Sequence, residues 1–334
     1  MHIVERQRSV TLAIGGGGAR GYAHIGAIDV LEERGFEIKA VAGSSMGALV
    51  GGLYAAGSLD EYEEFARGLS QMDVLRYLDV SLRTPGAIRA DKALARVNEL
   101  LGGALIEELA IPFTAVATDL GARKEVWFQT GPVATAIRAS IALPGVITPV
   151  MLNGRLLADG GLMNPVPMAP TSSVHADITI AVSLAGDSAT SNSGTPALET
   201  SERRPVDEWV ERFRRSTMTL FDREVVHSIS TWIGGLHSGD PEITREELEP
   251  MPFDALPDGL STFDVMTQSL DAMQAALSRY RLAGCPPDIM ITVPKDSSRT
   301  LDFHRAAEMI DLGRRLTLEA LDKLDDEATP AKNA

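Results

Sequence analysis

The sequence predicts an α/β fold built on a largely parallel sheet. Strand-like and helix-like segments alternate through the first half of the chain, the pattern that builds parallel strands joined by crossover helices. In addition, two glycine-rich turns, at 15–21 and 43–47, each stand where a short apolar strand gives way to a helix.

Taken in order, residues 10–14 read as a buried strand that ends in the glycine run from Gly15 to Gly18. A helix follows over 21–34, with Ala23, Ala27, Ile28 and Leu31 on one face and Gly35 as its stop signal. Residues 37–42 form the next strand, and 45–56 a helix closed by Gly57. Helices are expected at 60–70, 90–101 and 133–140, and strands at 112–118, 125–129 and 177–184. Residues 152–157 read as a hairpin because Asn153-Gly154 suits a type I′ turn.

The composition changes after residue 185. Residues 186–201 are rich in Ser, Thr, Gly and Asn, the composition of a mobile linker. Apolar residues then recur at helical spacing over 207–236, which leaves core packing, a lid and a dimer element as its candidate roles. Residues 240–259 read as a loop, 263–282 as a helix, 289–293 as a strand and 302–321 as an amphipathic helix. Four regions result: a core over 10–185, a linker with a long helix over 186–262, C-terminal helices and a strand packed on the core over 263–322, and a flexible tail over 323–334.

The 334 residues carry a net charge of −15, which argues against nucleic acid as a partner and against broad docking on anionic membranes. Cys285 is the single cysteine, so no intramolecular disulfide forms. The first residues lack the apolar core of a signal peptide, and no apolar run reaches membrane-spanning length. The expected location is the cytoplasm, with peripheral contact to the inner face of the membrane as its variant.

Three features carry chemistry. Gly43-Ser44-Ser45-Met46-Gly47 is a G-x-S-x-G turn between strand and helix, where a serine is held exposed and the next amide, on Met46, faces a reacting carbonyl. The run Gly15–Gly16–Gly17–Gly18–Ala19–Arg20–Gly21 presents backbone N–H groups in a concave turn suited to a phosphate or an oxyanion. It also satisfies a dinucleotide-binding pattern, but the next strand ends in Ser44-Ser45 where that pattern needs an acid. The third feature, Asp159-Gly160-Gly161, places a carboxylate in a tight turn that can face a cleft. The order Ser45, Asp159 and a later histidine would also match an α/β-hydrolase triad, although here the serine turn follows only the second strand. No metal-binding spacing is present, and no cofactor is expected.

The stretch from Gly16 to Ile28, with Leu31-Glu32-Glu33, Gly35, Gly43 to Gly47, Ala139 to Gly145 and Asp159-Gly160-Gly161, closely resembles the patatin-like phospholipase family. It is most similar to the bacterial members akin to the neuropathy-target-esterase catalytic domain. The resemblance implies a three-layer αβα patatin-like fold with a mostly parallel central sheet and a helical C-terminal extension. It also implies a Ser–Asp dyad without histidine, in which Ser45 attacks an acyl carbonyl and Asp159 moves the proton. Gly16, Gly17, Gly18 and Met46 would supply the oxyanion hole, with Arg20, Gly43, Gly47, Gly160 and Gly161 in support. The implied substrate is a phospholipid or lysophospholipid. An acyltransferase using the same dyad, or a regulatory scaffold with a vestigial site, are the alternatives.

Overall fold

The computed structural model describes residues 8–77, 90–186 and 262–328. The helix expected over 207–236, the linker after residue 186 and the loop over 240–259 lie outside the described residues, as do His2, His227 and His237. Two compact units are distinguished, and the larger, formed by Met1–Val80, Ala87–Gly194 and Ser269–Ala334, holds the features described below apart from residues 262–268.

Strand β1 (Ser9–Ile14) leads through a 3-10 turn (Gly18–Tyr22) into α1 (Ala23–Glu33), β2 (Glu37–Ser44), α2 (Met46–Ala55), α3 (Leu59–Arg67) and α4 (Gln71–Tyr77). After α5 (Asp91–Leu101) come β3 (Phe113–Asp119), β4 (Lys124–Phe128), α6 (Val133–Ser140), β5 (Val150–Leu152), β6 (Arg155–Asp159) and β7 (Ile178–Gly186). The described C-terminal part holds α7 (Thr262–Gly284), β8 (Ile289–Pro294) and α8 (Ala306–Ala328).

The eight strands among the described residues form one sheet in the order β5-β6-β3-β2-β1-β7-β8, with β4 also paired to β3. The pairs β1–β2, β1–β7, β2–β3 and β7–β8 are parallel, and β4, β5 and β6 add an antiparallel wing. This is the mixed α/β sheet flanked by helices that the alternating pattern predicts.

Side chains of a strand alternate between the two sheet faces, and β1 shows both faces covered. Val10, Leu12 and Ile14 enter the main core with residues of α1, α2 and α8, whereas Ala13 packs with Ala181, Val166 and Met168. Burying a Leu or Ile in this way contributes about 1.5–3 kcal/mol each. Helices α1 and α8 cross at contact distance of their backbones: a Cβ on Gly26 would lie 2.0 Å from the Ile310 carbonyl oxygen, and one on Gly313 would lie 2.0 Å from that of Ala23.

Asn153 and Gly154 adopt φ of 51° and 75°, the two positive values that a type I′ hairpin requires. Two boundaries and one additional element stand out against the sequence expectation. The helix expected from residue 21 opens as a 3-10 turn at Gly18, where φ of +58° breaks the α pattern. A further helix, α4, follows α3. The last helix continues through Ala328 rather than ending at 321, because its acidic final turns are tied to the body. Arg34 pairs with Asp322 at 2.6 Å, and Arg8 with Asp325 at 3.0 Å.

Candidate active site

The turn between β2 and α2 is forced on the chain by its glycines. A Cβ on Gly43 would lie 2.3 Å from the Gly47 carbonyl oxygen, and one on Gly47 would lie 2.1 Å from that of Ile14. No side chain fits between these backbones, so the strand can fold sharply onto its helix. Ser45, at the corner, takes φ 56° and ψ −123°. A non-glycine residue held there costs on the order of 1–3 kcal/mol, and surrounding contacts must fix it. They do so on both sides of the residue. The Ser45 N–H donates to Ser140 Oγ at 2.8 Å, and its carbonyl accepts from the N–H groups of Ala48 and Leu49 at 2.9 and 3.2 Å. Ser140 in turn donates to the Val116 carbonyl at 2.5 Å.

Asp159 reaches Ser45 because one strand aligns both. Along β3, Val116 pairs with Ser44 and the next residue, Ala117, pairs with Asp159. The end of β2 and the end of β6 therefore meet at one level of the sheet. The backbone of Asp159 is pinned by its N–H donating to the Ala142 carbonyl at 2.9 Å and by Thr118 Oγ1 donating to its own carbonyl at 2.8 Å. Its carboxylate is divided between two donors. Oδ1 accepts from the Gly161 N–H at 2.7 Å, and Oδ2 accepts from Ser45 Oγ at 2.5 Å. Burial pushes the carboxyl up to about 6, and the hydrogen bonds from Ser45 and Gly161 offset only part of that effect.

The glycine run sits beside the turn: a Cβ on Gly16 would stand 3.0 Å from Ser45 Cβ. Its N–H groups divide into two sets. Gly15 donates to the Val182 carbonyl at 3.0 Å, Gly16 to that of Pro165 at 3.1 Å and Ala19 to that of Thr300 at 2.9 Å. Among the described residues, Gly17, Gly18 and Met46 have no acceptor for their N–H groups. The expected oxyanion set therefore needs one correction. Gly16 has its amide committed to Pro165 and contributes the space beside Ser45 instead.

Arg20 fixes the run by donating from Nε to the Gly17 carbonyl at 3.2 Å and from Nη1 to that of Lys295 at 3.0 Å. Its burial lowers the guanidinium pKa, an effect that the charge of Asp271 opposes. His24 lies wholly buried, with Nε2 donating to the Gly15 carbonyl at 2.8 Å. Burial takes its pKa down to about 4, so the ring is neutral and props the glycine run from below. None of the described histidines, His24, His175 and His304, bonds to Ser45 or Asp159.

Several supporting residues carry no local sequence signature. Ser44 Oγ donates to the Asn164 carbonyl at 2.6 Å, Asn164 Nδ2 donates to Glu125 Oε2 at 2.6 Å, and Arg281 holds Glu125 Oε1 at 3.2 Å. Asp119, by contrast, caps a strand-end turn: Oδ1 accepts from the Ala122 N–H at 2.8 Å. Gly160 is required by space, since a Cβ there would lie 2.0 Å from the Val116 carbonyl oxygen.

A family model of patatin-like phospholipases matches residues 12–171. A protein of Mycobacterium tuberculosis described as an uncharacterized NTE family protein is 47% identical over 348 residues, covering 96% of this chain and 94% of that protein. Lysophospholipase nte1 of Emericella nidulans is 31% identical over 181 residues, covering 53% of this chain and 12% of the fungal protein. Among solved structures, VipD from Legionella pneumophila matches with a TM-score of 0.41 and 15% identity, over 95% of this chain and 67% of that one.

Proposed function

Because the chain belongs to the NTE family and carries a patatin-like phospholipase domain, we propose that it is a serine lipid-acyl hydrolase of the phospholipase A or lysophospholipase type, working through Ser45 and Asp159. The observation that carries this reading is the 2.5 Å contact from Ser45 Oγ to Asp159 Oδ2, made by a serine whose backbone is held at φ 56°.

In this reading Ser45 Oγ attacks the ester carbonyl carbon while its proton passes to Asp159 Oδ2. The carbonyl oxygen becomes an oxyanion and takes hydrogen bonds from the N–H groups of Gly17, Gly18 and Met46. Such a donor is worth about 3–4 kcal/mol in the transition state. The positive end of α2, which begins at Met46, favours the same charge. As the intermediate collapses, the bond to the lysolipid or glycerophospho-alcohol breaks and the leaving oxygen takes the proton back from Asp159. An acyl ester on Ser45 remains. Water then attacks that ester, Asp159 accepts its proton, and the fatty acid leaves as Ser45 regains its hydrogen. A carboxylate whose pKa has risen to about 6 is a stronger base than an exposed one, yet is still ionised at neutral pH.

Incubation with phosphatidylcholine and lysophosphatidylcholine, followed by product analysis, tests this reading. Free fatty acid should accumulate, and added lysolipid or glycerol should not divert the acyl group. Acyl transfer as the dominant outcome, or no turnover of either lipid, would overturn it.

A further inference from the structure

The antiparallel wing of the sheet runs on past the dyad. Ala117 pairs with Asp159, Thr118 with Ala158 and Asp119 with Leu157, and the Leu120 N–H then donates to the Leu156 carbonyl at 3.0 Å. At about 3.3 Å per residue, Leu120 and Leu156 stand roughly 10 Å beyond Asp159 at the same end of the sheet. Met151 pairs with Leu156, and residues directly opposed in a ladder share a face. Thr118 pairs with both Ala158 and Glu125, which puts Trp127, two residues on from Glu125, on that face as well.

This face is apolar and open. Met151 is 67% exposed, Leu156 and Trp127 41% each and Leu120 38%. The core is made by the other face of the same strands, where Val126, Phe128, Val150, Leu152 and Leu157 gather around Ala117 and Ala139. The four exposed side chains therefore do not complete the fold.

The charge around them departs from that of the whole chain. The protein has 46 acidic and 31 basic residues, but between Leu120 and Ala158 it carries Arg123, Lys124, Arg138 and Arg155 against a single acid, Glu125. Glu125 is paired with Arg281, and the buried Asp119 stands 3.9 Å from Arg155. Among the described residues, Arg123 and Lys124 have no ion-pair partner. Both are exposed, in and beside the turn that follows Leu120.

We infer that the exposed face of β3, β4, β5 and β6, formed by Leu120, Trp127, Met151 and Leu156 with Arg123, Lys124 and Arg155 at its rim, docks the enzyme on an anionic phospholipid surface. This inference rests on the reading of Ser45 and Asp159 as a lipid hydrolase. Apolar side chains that enter the headgroup region beside cations facing anionic lipid form a membrane-contact pattern. A second copy fits less well, because a twofold interface sets the same patch against itself and so one cationic rim against another. The docking face stands at the end of the sheet that carries Ser45 and Asp159, although Asp159, paired with Ala117, belongs to the opposite face.

The test uses the full chain carrying Ser45→Ala, so that lipid is bound but not consumed, and vesicles of equal parts phosphatidylcholine and phosphatidylglycerol. The protein should co-sediment with the vesicles, and added salt should weaken binding. Adding Met151→Asp and Leu156→Asp should reduce partition by about tenfold or more. Adding Arg123→Gln and Lys124→Gln should cost roughly fivefold per charge and flatten the salt dependence. Met72→Asp, at an exposed apolar residue on α4, should change nothing. Melting curves, and hydrolysis of a short-chain p-nitrophenyl ester by the same surface variants with Ser45 intact, should match wild type. No vesicle binding by the Ser45→Ala protein, or undiminished binding by folded surface variants, would overturn the docking surface while leaving the dyad standing. Vesicle binding with no turnover of ester or lipid would instead remove the hydrolase reading on which the inference rests. A dimer that Met151→Asp and Leu156→Asp split without loss of vesicle binding would assign the face to a second copy and overturn the inference.

Discussion

The hydroxyl of Ser140 accepts the Ser45 N–H at 2.8 Å while donating to the Val116 carbonyl at 2.5 Å. One buried side chain thus ties the strained residue at the corner of the turn to the strand that also positions Asp159.

Ser140→Ala leaves a buried N–H and a buried carbonyl without their partner. The expected loss of stability is about 1–3 kcal/mol. The turn should also loosen, so kcat should fall while KM changes little. Thermal melting and steady-state kinetics on a soluble ester check both. An unchanged kcat would mean that the neighbouring helix alone sets the backbone of Ser45.

The pH profile should report Asp159. With its carboxyl raised to about 6, kcat/KM should be level above neutrality and fall tenfold per pH unit once the pH drops below that value. A decline that begins only near pH 4 would mean that the carboxylate is solvated in the working enzyme.

Asp159→Asn should abolish turnover and stabilise the fold at neutral to alkaline pH. Burial raises the folded pKa from 3.8 to about 6, so above pH 6 the wild type holds an ionised carboxylate that folding disfavours. Two pKa units correspond to a cost on the order of 2–3 kcal/mol, which the neutral amide avoids. As the pH falls from about 6 towards 3.8 the wild type takes up the proton and recovers that stability, and the advantage of the variant should vanish. Melting temperatures at pH 8 and pH 5 measure the difference.

Arg20→Lys keeps a positive charge but not the planar fork that reaches the Gly17 and Lys295 carbonyls together. The glycine run should lose its register, and kcat should drop by roughly ten- to a hundredfold, less than the hundred- to thousandfold lost when an oxyanion donor is removed outright. A kcat within twofold of wild type would make Arg20 dispensable for the glycine run.

The turns that hold Ser45 and Asp159 are legible because each is written in local chemistry. Gly43 and Gly47 are required where backbones nearly touch, and Asp159 precedes Gly160, which has no room for a Cβ. The hairpin of Asn153 and Gly154 was legible for the same reason, since only certain residues accept positive φ at both positions. Partners distant along the chain were not legible. Ser140 meets Ser45 across 95 residues, and Thr118 meets Asp159 across 41, with no periodicity to announce either contact. The commitment of the Gly16 amide to Pro165 was equally hidden, because a glycine run shows how many N–H groups it has but not which are already bonded. The apolar face of β3 to β6 is not legible in the sequence, because alternation alone does not say which side of a short strand the core takes.

Labelling with a fluorophosphonate, read by intact mass and peptide mapping, tests the pairing of Ser45 with Asp159 most directly. Wild type should gain one adduct on Ser45, folded Ser45→Ala none, and Asp159→Asn should react far more slowly than wild type. Equal labelling of Ser45→Ala at another residue, or wild-type labelling rates in Asp159→Asn, would contradict the assignment of nucleophile and base.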